Sequence, residues 1–105
     1  MSGFTAVLPD EQMRALGFTD HREGRWYLCR RVGSDTTLNI SINKTSGLWR
    51  EDVLNELFGQ PEFYDSMREP HRTDIRGTID AIVTGLAAAG VMVTVNHDAY
   101  RLPAS

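Results

Sequence analysis

Apolar and polar positions alternate most clearly over Thr37–Lys44, TLNISINK, where Leu38, Ile40 and Ile42 share one parity and Asn39, Ser41 and Asn43 the other. Successive strand side chains point to opposite faces, so this segment predicts a β-strand with one apolar and one uncharged polar face. That pattern suits an antiparallel sheet covered on a single side. Arg25–Val32, RWYLCRRV, predicts a second strand, with Trp26, Leu28 and Val32 on one parity and Tyr27, Cys29 and Arg31 on the other. Gly33-Ser34-Asp35 and Thr45-Ser46-Gly47 mark turns on either side of the alternating segment. Leu48–Leu54, LWREDVL, predicts a third strand, while Val53, Leu54, Leu57 and Phe58 also fit one face of a short helix ended by Gly59.

Helical periodicity appears twice. Pro9–Gly17, PDEQMRALG, has a proline suited to a first helical turn, two carboxylates for its positive end and a glycine to stop it. Thr73–Ala89 is the longer case: Ile75, Ile79, Ile82, Val83 and Leu86 recur on one helical face, with Thr73 as the expected N-cap and Gly90 as the stop. VMVTV, Val91–Val95, then predicts a β-branched strand, and Ala99–Leu102 is a candidate last short strand beyond a turn at Asn96–Asp98. The predicted order is α-β-β-β-α-β, with that last short β optional. It describes an α+β fold with a single, mainly antiparallel sheet of three to five strands. The long C-terminal helix is expected to cover the face of Leu38, Ile40 and Ile42. Asn39, Ser41 and Asn43 are then left on the open face, where a partner-binding surface is expected.

Between the third strand and the long helix lies Phe58–Tyr64, FGQPEFY. Gly59 can adopt a left-handed conformation, and Pro61 disfavours a helical Gln60. A connection this long needs an anchor in the core, and Phe58 is the expected one. Glu62, Phe63 and Tyr64 form a second candidate surface for a protein partner if their side chains face solvent.

Composition adds bounds. A chain of 105 residues is expected to form one domain, and its 41% hydrophobic and 24% charged residues are ordinary for a globular protein. Cys29 is the one cysteine, so no internal disulfide can form and a reducing compartment is expected. The opening MSGFTAVLPDEQ has neither the basic nor the apolar region of a secretion signal. The apolar run Ala81–Val95 is too short for a bilayer. These features predict a soluble, cytoplasmic protein with no cofactor.

The net charge of −3 is unevenly spread. Arg22, Arg25, Arg30 and Arg31 are opposed within their segment only by Glu23, and Trp26 and Tyr27 lie among them. Guanidinium groups interleaved with rings are how single-stranded nucleic acid is held, through phosphate pairing and base stacking. Nucleic acid is therefore the alternative partner, with Arg22, Arg25, Trp26, Arg30 and Arg31 as its residues. Catalytic chemistry is not expected. Cys29 sits in a strand as a small apolar residue does, and His21, His71 and His97 lack the spacings of metal ligands. Glu51 and Asp52, adjacent on a strand, point to opposite faces and cannot cooperate as acid and base. No glycine pattern for phosphate binding is present. Pairing of two copies through an exposed sheet edge is compatible with the pattern.

Two resemblances extend this reading. The last third of the chain, a long helix followed by Ala-Ala-Gly, VMVTV, a turn and AYRL, resembles the recognition helix and wing of winged-helix proteins. The segment before it lacks the two helices of that fold, and Arg76 is the helix's only cation within Thr73–Ala89. The longer stretch GFTDHREGRWYLCRRVGSDTTLNISINKTSG, with EDVLNELFGQPEFY after it, is similar to small uncharacterised proteins encoded by phages and prophages. That resemblance carries no assigned activity and no functional residues. It implies an accessory protein that binds a host or phage macromolecule.

Overall fold

A computed structural model of the chain describes residues 2–20, 24–57, 59–61 and 67–100. The three predicted strands form as a meander: β2 (Arg25–Arg31), β3 (Thr36–Asn43) and β4 (Leu48–Asn55), all antiparallel. Trp26 lies across from Ile42 and Leu28 from Ile40, so the apolar parity of each strand falls on one face. β4 settles the strand-or-helix alternative. Trp49, Glu51 and Val53 are buried while Arg50 and Asp52 are exposed, a period of two, and Leu57 of the helical pattern is exposed. The β3–β4 turn is tied by Asn43, whose Oδ1 accepts from the amides of Thr45 and Ser46, both at 2.9 Å.

Two short strands escape sequence reasoning. β1 (Ser2–Phe4) pairs antiparallel with the start of β4, Gly3 facing Trp49. Three residues are too few to show a period, but Gly3 is a local signature. A Cβ there would stand 2.9 Å from the Trp49 ring, so the glycine is what lets the indole lie against β1. β5 (Gln60–Pro61) pairs with Leu54 and Asn55 after a turn at Gly59, whose φ is +61°, the left-handed conformation expected of it. The sheet order is β1-β4-β3-β2, with β5 also on β4.

The helices lie near their expected positions. α1 (Asp10–Ala15) buries Met13, and α2 (His71–Ala89) buries Ile75, Ile79 and Leu86, with Ile82 and Val83 packed at the margin of the same core. α2 begins two residues before the expected start, and Thr73 is not its cap. The flanking residue is Pro70, while the Thr73 hydroxyl donates to the Glu69 carboxylate. Gly90 ends the helix at φ +102°. The α+β class, the antiparallel sheet and the covering C-terminal helix agree with the sequence reading.

The expected strand at Val91–Val95 does not join the sheet. Its alternation is real, since Val91 and Val93 are buried and Met92 and Thr94 exposed, but no ladder forms over these residues. The outer edge of β4 is already taken by β1 and β5, and Met92 N–H instead donates to Thr5 Oγ1 at 2.7 Å. The candidate last strand is also corrected: His97–Tyr100 is a 3-10 turn, and residues 101–102 lie outside the described residues. Phe58, Phe63 and Tyr64 lie outside them too, so the anchor expected at Phe58 falls where nothing is described.

Gly47 joins the meander to β1. Its φ is +75°, Thr5 N–H donates to its carbonyl at 2.9 Å, and an added Cβ would stand 2.1 Å from the Thr5 carbonyl oxygen. Gly47→Ala is therefore expected to displace β1 and to destabilise the protein by about 1–3 kcal/mol from backbone strain alone. Hydrogen exchange checks this: amides of residues 3–5 should lose protection before those of β3.

Candidate functional site

Among the described residues nothing packs over the side of the sheet opposite α2, and its composition follows from strand parity. β2 contributes Arg25, Tyr27, Cys29 and Arg31, β3 contributes Thr37, Asn39, Ser41 and Asn43, and β4 contributes Arg50 and Asp52. Antiparallel register lines them in rows across the strands: Tyr27–Ser41–Arg50, then Cys29–Asn39–Asp52. Directly opposed side chains in such rows lie close enough to act on one ligand group. A shallow groove of about 340 Å³ runs over these rows, lined by Tyr27, Cys29, Asn39, Ser41, Arg50 and Asp52.

Hydrogen bonds preset part of this face. Asn39 Nδ2 donates to Thr37 Oγ1 at 3.0 Å, and the Thr37 hydroxyl donates to the Glu56 carboxylate. The Asn39 amide is thus held in one orientation, with its carbonyl oxygen turned from that bond. Asn43 shares the face, but its Oδ1 is committed to the β3–β4 turn. Of the residues expected to bind a protein, Asn39, Ser41 and Asn43 lie together as predicted, and Glu62, Phe63 and Tyr64 lie outside the described residues. Sequence reasoning did not include Tyr27, Cys29, Arg50 and Asp52. Strand parity places the first two on this face, whereas Arg50 and Asp52 need the β3–β4 register.

The arginine-aromatic segment is divided by the fold. Arg25 and Arg31 are on the open face, but Trp26 and Arg30 point to the helix side, and Arg22 lies outside the described residues. Trp26 is fully buried beneath two cations, with Lys44 Nζ 4.3 Å and Arg14 Cζ 5.4 Å from its ring. Its expected role as a stacking platform is corrected on that ground, because a base has no access to the ring. Arg30 Nη2 donates to the Leu16 carbonyl at 3.0 Å. Asp20 accepts from both cations over the indole, at 3.0 Å from Arg14 and 3.1 Å from Lys44. The Lys44 bond is the main reason its carboxyl is held below the usual value.

The other titratable groups are dispersed. Cys29 is exposed on the open face. Glu51, 1% exposed, faces the core, where Tyr100 Oη donates to its Oε2 at 2.8 Å and accepts from Val53 N–H at 3.2 Å. Burial pushes the Glu51 carboxyl up, Asp52 adds to this, and the Tyr100 bond and His97 oppose it. Burial and the Glu51 carboxyl also push the Tyr100 hydroxyl up. His97 Nε2 lies 2.7 Å from Asp80 Oδ1. Among the described residues no group of three His, Cys, Asp or Glu side chains is placed to hold a metal, and no helix is long and apolar enough to cross a membrane.

No protein-family model and no curated protein matches the sequence. The fold is similar to the crystal structure, at 1.20 Å resolution, of a DUF1831 family protein from Lactobacillus plantarum. The two align with a TM-score of 0.70 at 12% identity, over 90% of this chain and 86% of that one. At that identity the likeness is one of fold: an antiparallel sheet with a C-terminal helix on one face.

Proposed function

We propose that the chain is a non-enzymatic interaction module, a phage or prophage accessory protein of the cytoplasm, that holds a protein partner on its uncovered sheet face. The observation that carries this reading is the groove across Tyr27–Ser41–Arg50 and Cys29–Asn39–Asp52. It offers one ring, uncharged hydrogen-bonding groups, a cation and a carboxylate within two adjacent rows. A protein surface with mixed charge and amide groups complements that set, with an acid opposite Arg50 and a base opposite Asp52. The exposed, unpaired Cys29 fits a reducing compartment. Nucleic acid is the weaker reading, because Tyr27 is the one ring that β2, β3 and β4 present on this face and Trp26 is sealed.

The test compares wild type with an Asn39→Arg/Ser41→Arg variant as affinity baits against host lysate. Proteins held by wild type should lose at least tenfold in recovery on the variant, with thermal stability unchanged. In parallel, the chain is titrated with mixed DNA and RNA at low and high ionic strength. Salt-sensitive binding that Arg25→Glu/Arg31→Glu abolishes would overturn the protein reading in favour of nucleic acid.

A further inference from the structure

β2 forms one edge of the sheet, and among the described residues nothing pairs with that edge beyond Tyr27. At Tyr27 the edge is covered by Thr19. Thr19 N–H donates to the Tyr27 carbonyl at 2.8 Å, and Tyr27 N–H to the Thr19 carbonyl at 2.7 Å. In an antiparallel ladder the outward-facing peptide groups recur at every second residue. Those of Cys29 and Arg31 therefore point away from β3, as those of Tyr27 do. The covering segment leaves the edge at Gly17, which turns with φ +100° onto the helix side, against the side chains of Leu28 and Arg30. Cys29, Arg30 and Arg31 are all exposed.

A second cavity opens beside this edge. It is a groove of about 330 Å³ between β2 and α2, lined by Leu16, Leu28, Arg30, Ile82, Gly85 and Leu86. Its helix wall is low at Gly85, where an added Cβ would meet nothing within 4 Å. A strand laid along β2 would send alternate side chains towards this groove and the others over the open face. The charged side chains at this stretch, Arg30 and Arg31, are both cations. Two copies pairing through β2 would bring these arginines to one junction, so the charge opposes self-association and favours an acidic partner.

We propose that the Cys29–Arg31 edge and the β2–α2 groove take an extended segment of a partner protein by strand addition, its apolar side chains entering the groove and its carboxylates on the other parity meeting Arg31. Main-chain hydrogen bonds supply affinity in this mode, and the groove and the arginine supply selectivity. The surface shares Cys29 with the open-face groove but is built on the β2 main-chain edge, Arg31 and the β2–α2 groove, so either can fail without the other.

The probe is a fluorescently labelled peptide of four Glu-Val repeats, titrated against the full chain, with Lys-Val and Glu-Ser peptides of equal length as controls. Saturable binding of the Glu-Val peptide is expected, at least tenfold tighter than either control, with slowed hydrogen exchange at the Cys29 and Arg31 amides. Gly85→Leu, which fills the groove from an exposed helix position, and Arg31→Glu should each weaken it at least tenfold while the far-UV circular dichroism is retained. No binding of the Glu-Val peptide, equal binding of a control, or undiminished binding to Gly85→Leu overturns the proposal. Protection at Asn39 and Ser41 without Cys29 also overturns it and leaves the open-face reading standing. Protection of Cys29 that rises with protein concentration alone overturns it in favour of a second copy.

Discussion

Trp26→Ala is expected to destabilise the protein by about 3–5 kcal/mol, the usual cost of truncating a large buried aromatic. The indole is fully buried against the apolar face of β3 and is roofed by Lys44 and Arg14, which are themselves joined through Asp20. Truncation removes the ring's packing, leaves a cavity and takes away the π-face under both cations, each contact being worth about 0.5–1 kcal/mol at an accessible site. Against a total stability of about 5–15 kcal/mol for a domain, the loss leaves a protein close to its unfolding threshold. Urea denaturation followed by circular dichroism measures it. Trp26→Phe should fall between wild type and Trp26→Ala, because it keeps a ring below the cations. A loss below about 1 kcal/mol for Trp26→Ala would contradict the packing described.

The second large effect is at Tyr100, which is 6% exposed and serves two partners with one hydroxyl. Tyr100→Ala should again cost about 3–5 kcal/mol. Tyr100→Phe isolates the polar part: the Val53 amide and Glu51 Oε2 both lose this hydroxyl in a buried setting, a cost of about 1–3 kcal/mol. The same site gives stability a pH dependence. The folded-state value of Glu51 is raised above the ordinary 4.5, so the folded protein holds this proton more tightly than the unfolded chain. Its contribution is present in full below 4.5 and is lost as pH climbs through the raised value. Asp20 and Glu69 act oppositely: Lys44 holds the first below 3.8, and the Thr73 hydroxyl and Arg72 hold the second below 4.5. Their contribution is lost as pH falls through those lowered values. Stability should therefore peak near pH 4.5 and decline on the alkaline side. Glu51→Gln should remove the alkaline decline and exceed wild type at pH 7 in equilibrium unfolding. An unchanged slope in that variant would refute the assignment to Glu51.

Local alternation carried much of the fold. Leu38, Ile40 and Ile42 define the covered face of β3, and the isoleucines of α2 recur at helical spacing, so each element announces itself over a few residues. β1 does not, because its three residues become a strand only through β4, more than forty residues along the chain. Val91–Val95 misleads for the complementary reason. Its side chains alternate between core and solvent, but a ladder also needs an open edge beside the segment. Met92 lies against Thr5, next to β1, and on that side β1 and β5 hold the edge of β4. The candidate site divides in the same way. Asn39 and Ser41 are legible from the parity of one strand, while Arg50 and Asp52 join them through register, which is a property of two strands. Glu51 is the hardest case. Its parity places it inward, but the partner that makes burial tolerable is Tyr100, forty-nine residues later.

The outer edge of β4 is closed from both ends of the chain. β1 covers it as far as Arg50, β5 begins at Leu54, and the hydroxyl of Tyr100 meets the Val53 amide between them. During synthesis the two hairpins of the meander can zip as soon as they emerge, since each closes over a short turn. The gap at Glu51–Val53 stays open until Tyr100 has left the ribosome and α2 has docked. A chain stalled before residue 100 thus carries an incompletely closed strand edge beside a buried carboxylate, the kind of surface on which nascent chains aggregate. The last turn of the described chain is the closing stitch of a sheet begun by its first strand.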